Sequence, residues 1–316
     1  MNKKDYLSVC ASTPLPIHSL DKHTKKTRMD PQVIYHLEHF PVGFLLKRFF
    51  PRIYGSVDAA RIELPLERRC RPDDEGCVEF WRNYELSTEN PERDLRERIR
   101  QWQCVKVHAG LPLRRHHLIE DGGDGKPFVL DIDLTEETYR EGLGCDCKRS
   151  VCAQCWIHLE IAMEVIRYLL KQVMGVTDIK VFFSGSRGIH VWVIAPCWSQ
   201  PVRELICARF VAIGDPTLAY WHPRISAHIH DDILVPAWNE HFVGPLPDKK
   251  TLFKRLYPVI DVDVTVQSKH AIGCPLSTHK RTGNVIAPIP SSEFRPVHCS
   301  QVTHELMKEW IQYMEA

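Results

Sequence analysis

The sequence predicts an α/β (α+β) fold, with mixed β-sheets flanked by helices, a cysteine knuckle and a short helical insertion. Three observations predict it. Short apolar runs such as 129–134 and 179–183 have strand length, while 156–173 carries apolar residues at helical spacing. Turn residues separate these runs. Four of the twelve cysteines fall between Cys145 and Cys155.

With 316 residues, 44% of them hydrophobic, the chain can build one large domain or two ordinary ones. The 41 basic and 40 acidic residues leave a net charge of +1, so any nucleic-acid surface must be local. No apolar run approaches the ~20 residues of a membrane span, and no membrane partner is expected. The N-terminal residues lack the apolar segment of a signal peptide. Without an export signal, clustered cysteines read as metal ligands and scattered ones as reduced thiols.

Residues 1–28 are polar, with Pro14, Pro16 and the basic run Lys22–Arg28, and read as a flexible N-terminal extension. A domain over 29–300 and a C-terminal helix over 301–316 are expected to follow. Residues 30–50 read as one helix, capped by Asp30 with Pro31 at its first position. Residues 61–68 and 77–86 read as strands, with Glu63 on the polar face of the first and Arg82 near the end of the second. A charged helix over 90–103 has Glu92 and Asp94 in its first turn, which suits the helix dipole. Residues 104–110 form a short strand on which Lys106 points opposite to Val105 and Val107. Residues 114–127 read as a loop.

The next strand is VLDIDL, residues 129–134. Strand residues alternate faces, so Asp131 and Asp133 project together while Leu130, Ile132 and Leu134 enter a core. Two neighbouring carboxylates repel, and burying one is costly; a hard divalent cation, Mg²⁺ or Mn²⁺, removes both problems. Alone, the pair also fits one capping and one solvated aspartate.

Cys145, Cys147, Cys152 and Cys155 follow as C-x-C-x4-C-x2-C. Four thiolates suit tetrahedral Zn²⁺ and leave no open position, so this zinc is structural. The helix 156–173 ends at Gly175. Residues 179–195 then read as a hairpin whose turn, Ser184-Gly185-Ser186-Arg187-Gly188, carries a cation and hydroxyls. Glycines allow backbone N–H groups to approach phosphate oxygens, Arg187 can fork onto two of them, and His190 can donate to another. A plain polar hairpin is the alternative.

Residues 196–256 read as an irregular, partly helical insertion, with helical patches over 202–211 and 249–256. Within it His228, His230, Asp231 and Asp232 are residue types that can bind a metal, but the motif is isolated and a turn with solvated side chains is the favoured reading. Residues 258–267 repeat D-x-D on a β-branched run, which reads as a strand with Asp261 and Asp263 on one face. A third carboxylate there completes a two-metal site. Residues 300–316 form a helix by the spacing of Val302, Leu306, Trp310 and Tyr313.

In this order, LLKRFFP (45–51), VLDIDL (129–134), CDCKRSVCAQCW (145–156), FFSGSRGIHVWV (182–193) and DVDVTVQSKHAIGCPLSTHKRTG (261–283) resemble the catalytic small subunit of archaeo-eukaryotic DNA primase. The resemblance implies a primase-type catalytic core over roughly residues 40–297. It implies catalytic metal binding by Asp131, Asp133 and Asp261. Nucleotide contacts fall to Ser184, Arg187, His190 and His279, with Arg82 and Glu63 as further carry-overs. The cofactors implied are two Mg²⁺ or Mn²⁺ ions and a structural Zn²⁺. The implied reaction is DNA-directed synthesis of short RNA or DNA primers from NTPs or dNTPs on a single-stranded DNA template. A large primase subunit and a replicative polymerase or helicase are the implied partners. The implied location is intracellular: the nucleus in a eukaryote, otherwise the cytoplasm, nucleoid or a viral replication site.

Two departures both remove positive charge. Ser186 stands where such enzymes usually carry the first of two arginines, and Gly273 stands where they usually carry a lysine. Lys269, Lys280 and Arg281 are the candidates to compensate. Rival readings are a gap-filling or translesion polymerase of the same superfamily, a catalytically weak zinc-bearing DNA-binding subunit, and a metal-dependent nuclease.

Overall fold

The computed structural model describes residues 30–49, 66–68, 81–82, 90–102, 104–109, 128–134, 151–194, 198–215, 222–267, 270, 272–291 and 294–316. The N-terminal extension, Glu63, the loop 114–127, Cys145, Cys147 and Lys269 lie outside them. Of Arg82, the backbone is described as part of a strand.

Seven strands are described: β1 (Leu66–Arg68), β2 (Trp81–Arg82), β3 (Cys104–Ala109), β4 (Phe128–Asp133), β5 (Ile179–Phe183), β6 (Gly188–Val193) and β7 (Ile272–Gly273). They form two antiparallel sheets, ordered β2-β1-β3-β7 and β4-β6-β5. Small sheets flanked by helices are the architecture that the alternation of short apolar runs and helical stripes predicts, but both sheets are purely antiparallel where mixed ones were expected. Every residue of the central strand β6 is buried, which explains its unbroken run of large and β-branched side chains. Ile189, Val191 and Val193 are fully buried, each worth about 2 kcal/mol of transfer free energy. In its neighbour β4, Phe128, Leu130 and Ile132 are buried while Asp131 and Asp133 look the other way.

The helix Ala153–Tyr168 continues as a π-helical turn, Leu169–Val173, and Gly175 leaves it with φ of +71°. Its Leu159, Val165, Ile166, Leu169 and Leu170 are fully buried in the same core. The C-terminal helix His304–Glu315 adds Met307, Trp310 and Met314 to that core. Residues Pro31–Ala316 cluster as one unit. Among the described residues no helix is long and apolar enough to cross a membrane.

Three expectations need correction. The helix expected over 30–50 is two helices, Pro31–Glu38 and Val42–Phe49. Pro41 has no N–H to continue the first, and its carbonyl instead accepts from Leu45 N–H (3.1 Å) to start the second. The described part of the insertion keeps the helical patches expected over 202–211 and 249–256 and is more helical than expected between them. It holds helices Gln200–Gly214, Pro223–His228, Val235–His241 and Lys249–Leu256, with a π-helical stretch Ile229–Leu234. His228 and Asp232, expected in a turn, therefore meet across one helical turn at 2.7 Å. The strand expected over 258–267 is absent: Ile260 makes one bridge to Ile132, and Val262–Val266 is a short helix. Asp261 caps that helix by accepting from Val264 N–H (3.0 Å). Asp263 falls in its first turn, bonded to Gln267 (3.0 Å), so the two aspartates do not share a strand face. Capping by an aspartate outweighs the weak strand preference of a β-branched run.

Candidate active site

Antiparallel pairing sets Asp131 opposite His190 and Asp133 opposite Gly188. The two chemically active stretches of the sequence are thus one ladder. Asp133 requires Gly188: a Cβ there would stand 2.1 Å from Asp133 Oδ1 and 2.4 Å from the Ile132 carbonyl. Gly185 has φ of +89°, and its bare Cα admits the Cβ of His279, which would lie 2.5 Å from a side chain at 185. These glycines make room for site side chains. The Gly188 N–H is not turned to a ligand, because it donates to Ser184 Oγ (3.0 Å) while Ser184 N–H donates to the Gly188 carbonyl (2.9 Å). Ser184 thereby closes the bend that presents Arg187.

Asp261 arrives from far along the chain and is fixed to the same strand. Its N–H donates to the Asp131 carbonyl (2.8 Å), and Asp131 N–H donates to the buried Thr265 Oγ1 (3.3 Å). His279 is held from two sides. Thr282 donates to the Gly185 carbonyl (2.6 Å), tying its turn to the hairpin. Gln32 Nε2 donates to both Thr278 Oγ1 and the His279 carbonyl (3.1 Å each). The Thr278 hydroxyl donates in turn to the Val105 carbonyl. Tyr35 donates to the Leu276 carbonyl (2.6 Å), and Val107 N–H donates to Ser277 Oγ (2.7 Å).

Between the two sheets lies a cleft of about 290 Å³. Asp131, Asp133, Ser184, Arg187, His190 and His279 all line it. Lys106, Lys280 and Arg281 line it too, so two of the three candidates for compensating charge reach the site. The structure therefore unites every described nucleotide-site candidate whose side chain is described. Thr265, Gln32, Ser277 and Thr278 escape sequence reasoning, because long-range side chain–backbone bonds leave no periodic signal.

Burial first, then the charges of Asp133 and Asp261, push the Asp131 carboxyl up to about 8 against the opposing pull of Lys106. Lost hydration also raises Asp133, with Asp261 adding to it and Arg187, Arg281 and Lys106 pulling it down. Burial drives His190 down to about 3, helped by Lys106, His279 and His108, so its ring is neutral at pH 7. His190 Nε2 stands 3.6 Å from Asp131 Oδ1, too far for a hydrogen bond. That buried oxygen has no hydrogen-bond partner among the described residues. Three mutually repelling carboxylates and an orphaned buried oxygen fit a divalent cation. No three His, Cys, Asp or Glu side chains among the described residues stand at mutual ligand distance. Asp131 and Asp133 line the cleft and Asp261 does not: its carboxylate accepts from Val264 N–H, although its charge acts on both of the others.

Of the cysteine knuckle, Cys152 and Cys155 are described, at the start of helix Ala153–Tyr168, with Sγ atoms 3.5 Å apart. Thiolates around tetrahedral zinc with ~2.3 Å bonds stand about 3.8 Å apart, so this half is close to the required geometry.

The DNA primase small subunit of Saccharomyces cerevisiae is 25% identical, covering 53% of this chain and 59% of that protein. That of Schizosaccharomyces pombe is 33% identical over 95 residues, 29% of this chain and 20% of its own. That of Drosophila melanogaster is 38% identical over 68 residues, 22% of this chain and 15% of its own. The chain thus spans at most 59% of the length of these relatives. Among solved structures, the polymerase domain from Mycobacterium tuberculosis ligase D in complex with DNA is similar with a TM-score of 0.49 and 15% identity, covering 88% of this chain and 86% of that one. The family model for the DNA primase small subunit matches residues 130–290, which run from the first aspartate pair through the hairpin to His279 and beyond. With that match running over half of its residues, this chain belongs to the DNA primase small subunit family.

Proposed function

We propose that the chain is a DNA-directed primase, a metal-dependent nucleotidyltransferase that makes short RNA or DNA primers on single-stranded DNA. One observation carries this reading: Asp261 is bonded to the strand of Asp131 and Asp133, and Arg187 of the neighbouring hairpin lines the cleft that those two aspartates line. Mg²⁺ or Mn²⁺ held by Asp131, Asp133 and Asp261 supplies activation of the attacking 3′-hydroxyl and counter-charge for the pyrophosphate leaving group. The chain's own residues do the rest. Arg187, Lys280 and Arg281 hold the triphosphate oxygens and take up charge as it moves toward the leaving group. Neutral His190 donates one N–H without competing for the aspartates' cations. His279, fixed by Gln32 and Thr282, orients the phosphates.

Cys145, Cys147, Cys152 and Cys155 hold a structural Zn²⁺ in this reading. Its substrates are a single-stranded DNA template and NTPs or dNTPs, and its partners a large primase subunit and a replicative polymerase or helicase, inside the cell. The test is direct: incubate the pure chain with single-stranded template, labelled NTPs or dNTPs and Mn²⁺. Short products from wild type, and none from folded Asp131→Ala, are expected; equal synthesis by both refutes the assignment. Synthesis only from an added primer would make it a gap-filling polymerase instead.

A further inference from the structure

Arg203 takes a core position of helix Gln200–Gly214, in line with Ile206, Cys207, Phe210 and Ile213, and it is entirely buried. Burying a guanidinium is costly unless its N–H groups find acceptors. Here Nε and one Nη donate together to the Val266 carbonyl (3.2 and 3.1 Å), and the other Nη donates to the Trp198 carbonyl (2.7 Å). Val266 ends the short helix Val262–Val266, whose N-cap is Asp261. Its carbonyl is among those that a helix leaves without an internal partner.

A helix of five residues does not hold itself in water, so its placement depends on its fastenings. Those at the front sit together on β4. Asp261 N–H donates to the Asp131 carbonyl, Asp131 N–H donates to Thr265 Oγ1, and Ile260 bridges Ile132. Fastenings at one place set position and leave tilt open. Arg203 supplies the fastening at the back. It holds Val266 and, through Trp198, braces it near Phe128 at the start of β4, whose ring meets that of Trp198 edge-on (4.9 Å). The segment is thus held against the same strand at Asp131 and again at Phe128. Tilt matters to Asp261, whose carboxylate caps the helix while its charge acts on Asp131 and Asp133. A group that shares a cation must be held to within about 0.5 Å.

We propose that Arg203 is the positioning residue for Asp261: its guanidinium clamps the far end of the capped helix and so sets where the third carboxylate stands relative to the other two. That the carboxylates hold Mg²⁺ or Mn²⁺ rests on the nucleotidyltransferase reading; that Arg203 fixes the helix does not. Lysine keeps the charge and a donor at this position but loses the fork. Mn²⁺ binding is measured by electron paramagnetic resonance for wild type, Arg203→Lys, Asp261→Asn and the double variant, with fold checked by circular dichroism. Arg203→Lys is expected to weaken Mn²⁺ about tenfold in the wild-type background. In the Asp261→Asn background the change should stay within about twofold, because the group it acts through is gone. Equal losses in both backgrounds, or none in the first, overturn the proposal. In primer synthesis kcat should fall while the nucleotide KM stays within about twofold, since the nucleotide contacts are untouched; an unchanged kcat overturns it. Hydrogen exchange on wild type in EDTA needs no variant. Residues 262–267 are expected to be protected without metal, and exchange at loop rates until Mn²⁺ is added overturns the proposal, because the metal then places the helix. A wild type that binds no Mn²⁺ and makes no primers sinks the primase reading; loss of that protection in Arg203→Lys still sustains the clamp.

Discussion

Two residues give the fold opposite responses to pH. Asp131 is pushed up to about 8 by burial and its acidic neighbours. The folded chain keeps this proton where the unfolded chain has lost it. Its contribution is therefore complete below about pH 4 and disappears as pH rises toward 8. In EDTA, wild type should lose on the order of 3 kcal/mol of this contribution by pH 8, and Asp131→Asn should not. Urea melts at pH 5 and pH 8 measure the difference. His158 has the other sign: burial lowers it to about 4, against a hydrogen bond from its ring to the Arg255 backbone. Its contribution is complete above about pH 6.5 and is lost as pH falls toward 4. His158→Leu should flatten the stability profile over that interval, as read by the same melts.

At the scale of elements, the site depends on pairs of segments that fit by subtraction. Gly188 is the sharpest case, since any side chain there meets Asp133 and the Ile132 backbone. Gly188→Ala should cost about 1–3 kcal/mol and abolish nucleotide incorporation by parting β4 from β6. The N-terminal helix Pro31–Glu38 acts at a distance through Gln32. Gln32→Ala should cost roughly 1–2 kcal/mol and raise the nucleotide KM more than it lowers kcat, because it loosens the His279 turn. Steady-state kinetics on the folded variant would show the split, and an unchanged KM would refute the link. Much of this was legible beforehand. Alternation in VLDIDL fixes both aspartates on one face, and the S-G-S-R-G turn marks the hairpin. The VIDVDV run carries the same alternation and still becomes a capped helix, because Asp261 and Thr265 bond to backbone that sequence periodicity does not register.

Across the whole molecule, the two sheets meet at the cleft, and each supplies what the other lacks. Asp131, Asp133 and His190 come from one; Lys106 and Gly273 come from the other. Divalent ions should therefore stabilise the assembled protein as well as activate it. Mn²⁺ is expected to raise Tm by several degrees, roughly what 1–2 kcal/mol gives, and Asp133→Ala should remove most of that rise in a thermal scan. The Ile132–Ile260 bridge has a further consequence. It joins β-segments made early in synthesis to one made late, and so distant a closure forms after the local hairpin of β5 and β6. A chain still leaving the ribosome can hold its bend and its first two acids, but it is unarmed until the late segment docks. On the proposed reading, a half-made copy therefore lacks the third acid that polymerising chemistry needs.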